Sequence, residues 1–115
     1  MRPIRMTYDP AGDILSLTFG QPTAATGYQL SAQLLLRVNP QTWEAAGLTI
    51  FNFSVHAQTA RAMPLPGLDE DPEVPPRLLR LLTSPPLTHF LRVVESAQGA
   101  HATLLRPSLH EAVVG

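Results

Sequence analysis

The sequence predicts an α+β fold, an antiparallel β-meander of four to five strands with one or two short helices. Three observations lead there. Alternating apolar stretches flank the turn Asp9-Pro10-Ala11-Gly12-Asp13, two more strand-like runs follow before residue 55, and seven of the twelve prolines fall between residues 64 and 86.

The first two strands are Ile4-Arg5-Met6-Thr7-Tyr8 and Ile14-Leu15-Ser16-Leu17-Thr18-Phe19. Asp9 suits the first position of a type I turn because its carboxylate bonds backbone amides. Pro10 presets φ at the next position, and Gly12 tolerates the positive φ that often follows. Residues 20–32 form a long loop with an irregular edge segment around Tyr28-Gln29-Leu30. A third strand, Gln33 to Val38, closes at Asn39-Pro40. The fourth, Gly47 to Ser54, is rich in β-branched and aromatic residues.

Beyond residue 60 the composition changes. A Pro-rich strap with Asp69-Glu70-Asp71 covers 64–86, and within it Pro76 to Leu82 reads as a short helix with Leu78, Leu81 and Leu82 on one face. Leu87, Phe90, Leu91 and Val94 then follow helical spacing, with Ser84 as N-cap and Gly99 past the end. That pattern favours a helix over a strand for 87–98, although Val93 fits it badly. Ala102 to Arg106 adds a fifth strand, and Ser108 to Val114 reads as a terminal turn. One domain of 115 residues is expected, with a strand-rich half (1–60), the strap (64–86) and a C-terminal part (87–115).

Composition excludes several functions. Charged residues are 15% of the chain, below the roughly 25% of an average soluble protein. The eight basic residues are all arginine and nearly balance nine acidic ones, so no basic cluster marks a nucleic-acid surface. Absence of Lys removes Schiff-base chemistry and a phosphate-loop lysine; absence of Cys removes disulfides, thiolate zinc sites and thiol nucleophiles. No apolar run spans a bilayer and the N-terminus carries no signal-like segment, so a cytoplasmic protein without membrane contact is expected.

Met6-Thr7-Tyr8-Asp9-Pro10-Ala11-Gly12-Asp13-Ile14-Leu15-Ser16-Leu17 resembles the opening of a small bacterial family, domain of unknown function 2283. Leu34 to Val38 and Gly47-Leu48-Thr49-Ile50 are similar to its later strands, although Thr49 stands where Glu is usual and Asn39 to Glu44 replaces a Gly-bearing turn. The resemblance covers the first half of the chain. It implies a compact antiparallel sheet with a helix, commonly self-associating, with no established activity.

Candidate chemistry is sparse. Asp9 and Asp13 are an acidic pair, yet two carboxylates are too few for Ca²⁺ and both have work in accepting turn amides. His56, His89, His101 and His110 match no metal-ligand spacing. No serine sits on a nucleophile elbow. Pro72-Glu73-Val74-Pro75-Pro76-Arg77 has the P-x-x-P-x-R form, read here as helix entry and spacer. No catalytic residue, metal ligand or cofactor is assigned.

What remains is sheet surface. Leu34, Leu36 and Val38 oppose Leu35, and Ile50 opposes Phe51 and Phe53, so strands three and four are expected to be apolar on both faces. A second subunit is the simplest cover for the extra face, with Leu35, Phe51 and Phe53 at the interface. The expected role is a non-catalytic, self-associating binding or assembly module. The alternatives are an antitoxin-like accessory protein that binds a partner protein, and a small enzyme with its site at a subunit boundary.

Overall fold

The computed structural model describes residues 4–21, 24–55, 62–70, 78–85, 87–97 and 99–104. By its internal contacts the chain divides into two compact units, Met1–Phe53 and Ser54–Gly115.

The first unit is a five-stranded antiparallel sheet of β1 (Ile4–Asp9), β2 (Ile14–Phe19), β3 (Thr26–Gln29), β4 (Leu34–Val38) and β5 (Ala45–Phe51). Its spatial order, β1-β2-β5-β4-β3, joins a hairpin to a three-strand meander by pairing β2 with β5. Strands β2 to β5 thus have the order of a Greek key, entered through the connection after Gly20. The edge segment expected near Tyr28 is β3.

Pleating sends alternate residues to opposite faces. Leu15, Leu17 and Phe19 of β2 share the first face with Leu48 and Ile50 of β5 and Leu34, Leu36 and Val38 of β4, and all are at most 2% exposed. The second face carries Ile14, Ser16 and Thr18 of β2, Thr49 and Phe51 of β5, and Leu35 and Arg37 of β4. These seven are half-buried. The expectation of two apolar faces is therefore corrected. Serine, threonine and arginine fill most of the second face, and large apolar groups gather only at one end of it.

The second unit holds a three-stranded antiparallel sheet in the order β6 (Met63–Pro64), β8 (Gly99–Leu104), β7 (Leu91–Ser96). Two short helices, α1 (Pro66–Glu70) and α2 (Leu78–Leu82), and a 3-10 turn (Leu87–His89) accompany it. Its buried set includes Met63, Leu65, Leu78, Leu82, Leu87, Leu91, Ala102 and Leu104. The short leucine helix of the strap is found at Leu78–Leu82.

The helix favoured for 87–98 is not: Leu91–Ser96 is a strand, paired with β8 from Leu91↔Leu104 to Ser96↔Gly99. The side chain of Ser84 serves the preceding helix rather than a following one. Its Oγ donates to the Arg80 carbonyl at 2.6 Å, helping Thr83 Oγ1, which donates to Leu79 O at 2.9 Å, to finish α2. Gly99 has φ 105° and opens β8, so the glycine that a helix C-cap would want serves a hairpin instead. The fifth expected strand begins earlier, at Gly99, and its expected end at Arg106, with the terminal turn, lies outside the described residues.

Candidate functional site

The β1–β2 turn brings together all four predicted turn residues. Asp9 Oδ1 accepts from the Ala11 amide at 3.1 Å, as an Asp opening a turn should. The positive φ falls on Asp13 (55°) rather than on Gly12, whose expected role is thereby corrected. Aspartate tolerates that region because its short polar chain bonds locally. Tyr8 Oη donates to Asp13 Oδ1 at 2.7 Å, and its ring stands edge-on to Phe53, with centroids 6.0 Å apart. The bond to Asp13 raises the Tyr8 pKa above its ordinary value, aided by burial and by the charges of Asp13 and Asp9. One oxygen of each carboxylate is thus committed to the turn, and the pair works as a hairpin clasp.

The other sequence candidates stay apart. His89 is exposed on the 3-10 turn, edge-on to Phe90, and His101 lies on β8 with Nδ1 3.2 Å from the Gly99 carbonyl. His56, His110 and the segment Pro72 to Arg77 fall outside the described residues. Among the described residues no group of three or more His, Cys, Asp or Glu gathers to hold a metal. Of two clefts lined by described residues, one of about 160 Å³ is lined by Phe19, Gly20, Gln21, Asn39, Thr42, Glu44 and Ala46, with Glu44 as its one charge. The other, about 330 Å³, is lined by Leu82, Thr83, Thr88, Leu91, Arg92 and Val93, with Arg92 as its one charge. Neither lining sets a nucleophile beside a histidine base.

That leaves the second face of the five-stranded sheet. Register places Ile14 opposite Phe51, and Leu35 opposite Thr49, diagonal to Phe51. The three form a half-buried apolar patch across β2, β5 and β4. Phe53, the third expected interface residue, is 1% exposed. Asn52 takes φ 54°, ends the alternation of β5 and brings the Phe53 amide to the Asp13 carbonyl at 3.0 Å. The accessible part of the expected interface therefore comes to Leu35 and Phe51, joined by Ile14.

Below the patch runs the row Arg5–Thr18–Gly47–Arg37. Arg37 lies across β5 and donates through Nη2 to the Leu17 carbonyl at 3.1 Å. Gly47 makes this possible: a Cβ there would meet Arg37 Nη2 and stand 2.7 Å from Leu17 O. The register shift after Arg37 bulges the β4–β5 ladder at this point. Arg37 Nε is buried, with no hydrogen-bond partner among the described residues. Sequence reading missed this bridge, whose signal, a Gly opposite an Arg, has meaning only once the register of β4 on β5 is known.

No family model matches the chain, and no curated protein or solved structure does. Function therefore has to be read from the face itself. It offers an apolar patch beside Arg5, Arg37, Asp9 and a set of hydroxyls. No described helix is long and apolar enough to cross a membrane.

Proposed function

We propose that this chain is a non-catalytic, self-associating binding module whose docking surface is the second face of the five-stranded sheet. The observation that carries this reading is the patch of Ile14, Leu35 and Phe51, contiguous over three strands and only half-buried in the single chain. Covering such side chains gains roughly 25 cal/mol per Å² of apolar surface removed from water. The resemblance of residues 6–17 to domain of unknown function 2283 supports the same reading, since it implies self-association, and with it a bacterial, cytoplasmic setting. A partner protein is the second reading, favoured by Arg5 and Arg37, which outnumber Asp9 on this face and would attract an acidic surface.

Sedimentation velocity over a dilution series tests the proposal. The wild-type chain is expected to sediment at twice its 12.5 kDa mass or more, and Leu35→Asp with Phe51→Asp is expected to lower that mass. A monomer at every concentration overturns self-association. An oligomer that both variants leave unchanged removes the face as the contact between copies.

A further inference from the structure

β1 is an outer strand of its sheet, paired with β2 on one side. An edge strand turns the N–H and C=O groups of every other residue outward, and folded proteins usually guard such an edge with a bulge, a proline or a very short strand. Ile4–Asp9 has none of these; charge, the other usual guard, is present as one Arg5 and one Asp9 of opposite sign. Its pairing with β2 is regular from Ile4↔Phe19 to Asp9↔Ile14, and prolines stand only outside it, at positions 3 and 10. The opposite edge, β3, is four residues long and contains Gly27. Four of the six β1 residues are exposed, and Ile4, at 38%, is among the few exposed large apolar side chains described.

The order of residues along this edge is self-complementary. Antiparallel pairing of two β1 strands about Thr7 sets Arg5 of each copy opposite Asp9 of the other, and Met6 opposite Tyr8. Arg5, Thr7 and Asp9 share the second face, while Met6 and Tyr8 point to the first. Both charge pairs are of opposite sign, and both apolar positions meet an apolar partner. Moving the centre by two residues to Arg5 sets Arg5 against Arg5, and moving it to Asp9 sets Asp9 against Asp9. Centring on Met6 or Tyr8 leaves Arg5 opposite Thr7 or Asp9 opposite Thr7, so the Thr7 register is the one of these that sets unlike charges opposite each other.

We infer that two copies of this chain pair edge to edge through β1, antiparallel and centred on Thr7, forming a continuous ten-stranded sheet. The inference rests on the self-association proposed above and adds the β1 edge as a second contact between copies, beside the sheet face assigned there. The two-fold axis of such a pairing stands perpendicular to the sheet. It keeps both second faces on the same side, so the Ile14, Leu35 and Phe51 patches of two chains share one uninterrupted surface and remain free to dock.

The absence of cysteine from the chain makes the test direct. Directly opposed residues of an antiparallel pair have Cα atoms about 4.5 to 5.5 Å apart, within disulfide reach. Thr7→Cys is expected to oxidise to a covalent dimer, and Thr88→Cys, an exposed site in the second unit, to remain unlinked. Arg5→Asp is expected to weaken association about tenfold and to slow Thr7→Cys cross-linking, because two attractive pairs become repulsive. Asp9→Arg should do the same, and mixing the Arg5→Asp and Asp9→Arg chains should restore a heterodimer in which both pairs are again of opposite sign. If Asp9→Arg unfolds because Asp9 also holds the Ala11 amide, the cross-link and Arg5→Asp decide alone. A wild-type oligomer that neither cross-links at residue 7 nor responds to Arg5→Asp overturns edge pairing and leaves self-association standing. A wild-type monomer at every concentration ends both.

Discussion

At Asp13, one residue holds a left-handed backbone (φ 55°) and accepts the Tyr8 hydroxyl at 2.7 Å, so the hairpin closes through backbone and side chain together. Asp13→Ala is therefore expected to lower the urea midpoint more than Gly12→Ala does. Alanine at 13 loses the bond and keeps the unfavourable φ, while a Cβ at 12 meets the Asp9 Oδ2 and Ile14 Cδ1 atoms at 3.1 Å, both ends of movable side chains. The same bond makes a pH prediction. Tyr8 is neutral when bonded, and its folded-state pKa lies above the ordinary 10.0. The stability it contributes is thus complete below that ordinary value and lost as pH rises through the raised one. An ultraviolet phenolate titration should show one tyrosine ionising late, and Asp13→Asn should bring it back down. At Gly47 the added methyl group of Gly47→Ala meets a backbone oxygen that cannot turn aside, and must also displace Arg37 from Leu17 O. A loss of about 1 to 3 kcal/mol in denaturant unfolding is expected, the usual range for an overpacked site.

Among the elements, residues 87–96 show how one pattern serves two structures. Leu87, Phe90, Leu91 and Val94 have helical spacing, and a helix would bury all four. In the strand, Leu91 is 1% exposed and Val94 is 55% exposed. Val94→Thr should accordingly shift stability by no more than about 0.5 kcal/mol, as surface changes do. Leu91→Ala should cost about 2 to 5 kcal/mol. Comparable losses at the two positions would restore the helix. The sequence signals that succeeded were local and redundant: Asp9 to Asp13 between alternating strands, and the β-branched and aromatic run ending β5. Those that failed were local and ambiguous. Val93 and Val94 favour a strand, but that preference was outweighed by spacing until β8 supplied a pairing partner, with Val93 opposite Ala102. The clasp residues of the candidate site were legible for the same reason as the hairpin, whereas the Arg37 bridge joins positions 20 residues apart and has no local trace.

At the scale of the molecule, the proposed dimer is held by two exposed charge pairs and five residues of backbone pairing from each strand. Raising ionic strength should weaken it several-fold, since exposed pairs are screened within about 10 Å at 0.1 M salt. Sedimentation equilibrium at two salt concentrations measures this; association that strengthens with salt would point to the apolar patch as the main contact instead. By itself the amino-acid sequence determined the α+β class, the first hairpin, four of the strands of the five-stranded sheet and the short leucine helix. Each of these follows from periodicity and turn chemistry acting over a few neighbouring residues. Tertiary structure alone decided the placement of β5 between β2 and β4, the strand at 91–96, the burial of Phe53 and the largely polar second face. Those depend on which distant strand lies alongside and in what register, and a slip of one residue would have exchanged the two faces completely.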